Sequence, residues 1–216
     1  MTLSNRPKSN SEPVIVLGAG GHATALIGSL QRLDKDILGV TERAEKNVTG
    51  LLGVEVLGGD DIIFSYQIDE VMLVNGIGMV SGSLNRQLCA KKMRQAGYRF
   101  CTVVDPTAVI SSEIEISEGV QVMAGAVLQP RVYLGVDTII NTGAIIDHDC
   151  VIKTGCHICP GVTLAGAVTV EHGTFIGSGT TVIPGIVIGE ESVIGAGSII
   201  TEDIPPRSRI IQRKLT

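Results

Sequence analysis

Starting at Val104 and stepping by six, the chain gives Val104, Ile110, Ile116, Val122, Leu128, Leu134, Ile140, Ile146, Ile152, Ile158, Leu164, Val170, Ile176, Val182, Ile188, Ile194 and Ile200, seventeen positions that are all Leu, Ile or Val. Chance does not produce such a run, so this half of the chain is an internal repeat, and a hexapeptide repeat implies a parallel β-helix. Two residues before each aliphatic the register holds a small or aliphatic residue, as at Ala108, Ala126, Ala144, Cys150, Cys156, Val162, Thr174, Ser192 and Ser198. Glycine follows several of the aliphatics, at Gly135, Gly177, Gly189 and Gly195. Three hexads, 18 residues, make one triangular coil, so seventeen hexads predict nearly six coils with no inserted loop, stacked at the usual strand spacing of about 4.8 Å. With 27 glycines, 3% aromatic residues and no Trp, the core has to be built from aliphatic layers.

The register also says where polar side chains point. In GAIIDHDCVI, residues 143 to 152, inward Ile146 and Cys150 leave His148 facing out from the prism. Eighteen residues on lies Gly166, the equivalent place on the next coil, where the missing side chain leaves open backbone beside the imidazole. Along a regular strand Asp147 and Asp149 project opposite to His148, so a contact between Asp149 and His148 requires a turn at the prism corner. His157, immediately before inward Ile158, is also predicted to face outward, and His172 is given no role. The segment CHIC, Cys156 to Cys159, has the look of a zinc or redox site. The register opposes that reading, because Cys156 points inward and Cys159 outward, and no metal site is predicted.

Before the repeat the period differs. VIVLG from Val14 reads as a buried strand, HATALIGSLQRL as a helix, ILGV from Ile37 and VMLV from Val71 as strands, Ser81 to Gln95 as a second helix, and YRFCTVV as a returning strand. Such alternation predicts a small parallel α/β sheet, about half of a doubly wound domain. The predicted fold class is therefore α/β plus all-β: a flexible N-terminus over 1–12, an α/β domain over 13–101, a β-helix over 102–204 and a tail over 205–216.

Net charge is −5 with no dense Lys/Arg cluster, which argues against nucleic acid or an anionic membrane as partner and favours a small polar metabolite. The first dozen residues lack the apolar stretch of a signal peptide, and no apolar run approaches the roughly 20 residues of a membrane span. Five cysteines, an odd number without framework spacing, suit a reducing compartment, so a cytoplasmic location is expected.

GAGGH after a first strand, INTGAIIDHDC, the following His157 and LAG at Leu164 to Gly166 resemble the NeuD/PglD/PerB family of bacterial sugar acyltransferases. The resemblance spans about Val14 to Arg207 and implies a small Rossmann-like domain followed by a left-handed parallel β-helix. It further implies a homotrimer with intersubunit active sites, acetyl-CoA as co-substrate, and a nucleotide-linked sugar, with UDP-linked 4-amino-4,6-dideoxy sugars of bacillosamine-type pathways as the nearest match. By the same resemblance His148 is the catalytic base, Asp149 its acidic neighbour and Asn141 a residue of the same site. His157, Gly166 and Ser178 fall with the acetyl-CoA contacts, the Gly166 N–H meeting the acetyl oxygen. Gly20, Gly21, His22, Thr41, Glu42 and Gly78 fall with the nucleotide sugar. The chain departs from the family in having Thr41 and Glu42 where relatives carry paired aspartates, in lacking a Lys after His22, in Asp105 at the domain junction, and in its IIQRK terminus.

Three other readings stand beside this one. The acceptor could be a hydroxyl, as in sialate O-acetylation. GAGGHA also satisfies G-x-G-x-x-G/A, with Glu42 about 20 residues on, as an NAD site would; the short sheet favours instead backbone amides at a helix N-terminus cradling a sugar-linked diphosphate. A non-catalytic trimeric scaffold is the third, and it would lack the His148/Gly166 pair.

Overall fold

The structure, a computed structural model, describes residues 12–42, 50–79 and 84–211. The chain divides into two compact units: Met1–Gly78 with Leu88–Cys101, and Met79–Gln87 with Thr102–Thr216. Residues 1–11 and 212–216, and with them most of the predicted N-terminus and the end of the predicted tail, lie outside the described residues, as do 43–49 and 80–83.

The first unit is a four-stranded parallel sheet. Its strands are β1 (Val14–Leu17), β2 (Ile37–Thr41), β3 (Val56–Gly58) and β4 (Met72–Asn75), in the order β3-β2-β1-β4. β1 is central, and all four of its residues are buried, as expected of a parallel strand covered on both faces. Helix α1 (Gly21–Arg32) follows β1 and buries Ala23, Leu26, Ile27 and Leu30, the i, i+3, i+4, i+7 spacing of one helical face. The turn between them depends on Gly18 at φ 85°, a conformation L side chains rarely adopt. Helix α2 (Asn85–Gln95), which joins this unit at Leu88, ends at the predicted Gln95; residues 81–83 of the predicted helix lie outside the described residues. β3 and a 3₁₀ turn over Asp60–Ser65 were not expected from sequence. Of the predicted last strand, Phe100 bridges Leu73 in parallel, while Val103–Val104 belong to the second unit.

The second unit is a parallel β-solenoid of two-residue strands in three sheets, of five, seven and six strands. Ile146 stacks on Leu128 below and Leu164 above, the 18-residue step read from the sequence. Of the seventeen hexad aliphatics, the fourteen from Val122 to Ile200 are buried; Val104, Ile110 and Ile116 are only partly covered, because no coil lies beneath the first. The small inward positions are more than filler. Thr138, Cys150, Cys156, Thr174 and Thr180 each donate to a backbone carbonyl 15 residues on, at Lys153, Ala165, Glu171, Gly189 and Gly195. Each bond satisfies a covered or partly covered carbonyl at a corner of the next coil.

The solenoid also runs past the predicted end at 204. Arg209–Ile210 pair with Val193–Ile194, and Ile204 bridges Ile188. Those steps are 16 residues (209 − 193 and 204 − 188) against 18 elsewhere, so the last coil is two residues short and falls out of the hexad register.

Candidate active site

Residues 147 to 150 form a corner of the solenoid, with His148 and Asp149 in the turn. Asp149 takes φ 61°, as do Glu113, Arg131 and Ala167 to within a few degrees, at 18-residue spacing in the same corner column. This left-handed turn supplies the change of direction that a straight strand could not. It swings the Asp149 carboxylate round to His148, with Oδ2 2.7 Å from the imidazole Nδ1. The His148 backbone N–H is taken by Asp147 Oδ1 at 2.7 Å, and the Asp149 N–H by the Pro130 carbonyl at 3.1 Å.

A residue that the sequence reading missed completes the corner. Arg131 forks onto Asp149, with Nε 2.6 Å from Oδ1 and Nη2 2.9 Å from Oδ2. These bonds, and then the one from His148, pull the Asp149 carboxyl down to a pKa of about 2. An ionised carboxylate only accepts, so Nδ1 of a neutral His148 is the protonated nitrogen and Nε2 carries the lone pair. The signal for Arg131 was present: it lies 18 residues before Asp149, one coil back in the same column.

Gly166 gives that ring its space. A Cβ at Gly166 would lie 2.6 Å from His148 Cε1 and 2.7 Å from Nε2. Only glycine therefore admits the imidazole over this coil. Ala167 N–H donates to the His148 carbonyl and Gly185 N–H to that of Gly166, while among the described residues no acceptor takes the Gly166 amide. The corner thus sets an exposed imidazole directly over the buried Gly166 backbone.

His157 differs. The ring points out of the prism, as expected, but it is buried, 6% exposed, against Met79 and Phe175. Its Nδ1 donates to the Met79 carbonyl at 3.3 Å, its Nε2 accepts from Asn141 Nδ2 at 3.1 Å, and Phe175 meets it edge-on at 5.4 Å. Burial, with the nearby Arg86 charge acting the same way, pushes its pKa down to about 4. The structure therefore brings Asn141 to His157, while the Asn141 Oδ1 accepts from Thr142 N–H at 2.8 Å. Ser178 is exposed on a later corner, its carbonyl accepting from Gly197. Cys159, predicted to face outward, is buried as well, with burial pushing its thiol up to about 12. None of the five cysteines is in a disulfide, and among the described residues no group of three or more His, Cys, Asp or Glu could hold a metal ion. No helix among them is long and apolar enough to cross a membrane.

In the first unit, Gly20 and Gly21 are exposed at the N-terminus of α1, with open space where a Cβ would project. Gly78 lies opposite His22, its would-be Cβ 3.5 Å from that of His22. This is the crevice at the carboxyl ends of β1 and β4, where the strand order reverses direction and ligands of such sheets bind. Thr41 is buried, and its hydroxyl both accepts from the Gly18 N–H at 3.2 Å and donates to Asp60 at 2.5 Å. It braces the glycine turn. Glu42 is buried beside it, its N–H bonded to the Gly58 carbonyl.

A hexapeptide solenoid whose corner carries a carboxylate-oriented histidine defines a hexapeptide-repeat acyltransferase. The family profile described as "Hexapeptide repeat of succinyl-transferase" matches residues 167–202. No protein of curated function matches the chain. Among solved structures, PerB from Caulobacter crescentus, in complex with CoA and GDP-perosamine, is 34% identical over 93% of this chain and 94% of its own, with a TM-score of 0.85. The acetyltransferase domain of PglB from Neisseria gonorrhoeae is 26% identical over 90% and 94%, with a TM-score of 0.82. WeeI from Acinetobacter baumannii, 22% identical over 94% and 97% with a TM-score of 0.83, shares the fold. The chain belongs to the NeuD/PglD/PerB family of sugar acyltransferases.

Proposed function

We propose that this protein transfers acetyl from acetyl-CoA to the amino group of a nucleotide-linked amino sugar. The observation that carries the reading is the His148 ring, oriented by Asp149 through Nδ1 and laid over Gly166 with Nε2 open. The sugar amine attacks the thioester carbonyl, and the nitrogen must lose a proton as the C–N bond forms. His148 Nε2 accepts that proton, a role suited to an imidazole near neutral pH. Charge develops on the carbonyl oxygen, where the Gly166 N–H is the donor. Collapse of the tetrahedral intermediate breaks the C–S bond and releases CoA, the imidazolium returning its proton to the thiolate.

The nucleotide sugar is assigned to a Rossmann-like first unit, its diphosphate against the Gly20–His22 amides and the α1 N-terminus. The sequence resemblance favours UDP. The greater identity to a protein bound to GDP-perosamine puts GDP-linked amino sugars first and UDP-linked ones second. Left-handed winding, and a homotrimer with acetyl-CoA held between solenoids, belong to the same reading. The deciding experiment offers the purified protein acetyl-CoA with GDP-, UDP-, dTDP- and CMP-linked amino and hydroxy sugars and follows CoA release. Turnover with hydroxy sugars alone would replace the amine reading by O-acetylation, and no turnover with any would overturn both.

A further inference from the structure

The guanidinium of Arg131 reaches the imidazole through one carboxylate. It binds both oxygens of Asp149 from the preceding coil, and Asp149 Oδ2 also accepts the hydrogen bond from His148 Nδ1–H. We propose that Arg131 is a positioning residue for the His148 base, aligning Asp149 by its two-point fork and offsetting the carboxylate's charge beside the imidazole. This rests on His148 being the acetyl-transfer base.

Both effects follow from the geometry. A carboxylate at an exposed corner, held by one partner, has rotational freedom about its χ angles. The fork removes it, as a planar bidentate pair does and a single ammonium does not. Alone, the full charge of Asp149 would favour the imidazolium and slow its return to the basic form after each proton transfer; the adjacent cation reduces that bias. The other charged groups facing the corner are Asp147, whose carboxylate caps the His148 N–H, and Glu113, one coil below Arg131 in the column. The following coil brings Gly166 and Ala167, which carry none. Since His148, Arg131 and Glu113 are exposed and Asp147 and Asp149 only partly covered, the charge effect is that of a solvent-screened pair and small. Arg131 is more than half exposed, so its replacement leaves the core intact.

The test follows the His148 imidazole by NMR across pH in the full-length protein, its resonance assigned by loss in His148→Ala, alongside the pH dependence of kcat. In Arg131→Met the titration midpoint and the acid limb of the kcat profile move up together by a few tenths of a pH unit. The kcat plateau falls by about fivefold through loss of alignment, with KM within twofold. Arg131→Lys returns the midpoint to the wild-type value while kcat stays low, because charge is restored and the fork is not. A midpoint and plateau unchanged in Arg131→Met, or a lysine variant fully active, would overturn the proposal. Should the wild-type protein acetylate no sugar, the proposed function fails, and the NMR arm still decides the role of Arg131.

Discussion

His148 and His157 stand nine residues apart (157 − 148) on one solenoid, and the fold makes opposite use of them. One lies at a corner turn, exposed, tied at one nitrogen to an ionised carboxylate and open at the other. The other lies in a strand, covered, with a carbonyl at one nitrogen and an amide NH₂ at the other. Neither ring is placed by its own chemistry. A repeat of six residues against a coil of eighteen decides which side chains reach a corner, and the corner turn alone can bring a sequence neighbour alongside. The contrast shows that in a β-helix an imidazole becomes a base or a brace according to its place in the repeat.

The sharpest way to break this contrast is His148→Ala. An exposed side chain contributes little to the core, so the fold and thermal midpoint should hold while kcat falls by about 10²–10⁴-fold, the usual contribution of a general base. A folded variant within a few-fold of wild-type kcat would place the base elsewhere. Next comes Gly166→Ala. Its φ lies outside the left-handed region, so the backbone tolerates a Cβ, but that atom displaces the ring. A misplacement of about 1 Å should cost up to about 10²-fold in kcat with little change in stability. Asp149→Asn removes the charge that holds Nδ1 as donor, and a pH–rate series should show about a tenfold loss, below that of removing the base. Its acid limb should move to lower pH, since loss of a neighbouring negative charge disfavours imidazolium.

At the other pole, His157→Leu should leave kcat within a few-fold yet cost about 1–3 kcal/mol in chemical denaturation, because the Asn141 amide and Met79 carbonyl lose their partner inside the protein. The pH dependence separates the two rings further. The folded protein holds His157 at a pKa of about 4 against an ordinary 6.5, so the unfolded chain takes up the proton first as pH falls. Stability is complete above about 6.5 and declines as pH falls toward 4, by up to roughly 3 kcal/mol. Denaturation curves of His157→Leu should lack that component of the decline; equal slopes in both proteins would mean that the buried ring titrates normally.

The solenoid was legible because its signal is periodic and local: each aliphatic at a hexad step reports the same inward direction. The register stopped being informative where the period changed, at the shortened coil that ends in Ile210. It placed His148 beside Gly166, since that needs only a count of eighteen, but a strand rule could not foresee the φ of 61° that turns Asp149 toward the ring. Arg131 needed the same count taken backward from Asp149. The burial of His157 depends on Met79, 78 residues away in sequence, a distance at which no pattern in the repeat carries information. Thr41 falls with the nucleotide sugar by resemblance alone, and its bonds to Gly18 and Asp60 are tertiary, beyond any local motif.

The inward thiols have a practical consequence. Cys150 and Cys156 spend their protons on carbonyls of the next coil, and burial raises them to about 11 and 12. With Cys159 at about 12, three sulfurs within one coil are neutral, buried groups, and an alkylating reagent finds no thiolate among them while the coils are closed. The rate at which such a reagent enters is therefore a clock for separation of the coils directly behind the His148 corner, read from the native sequence without adding a probe.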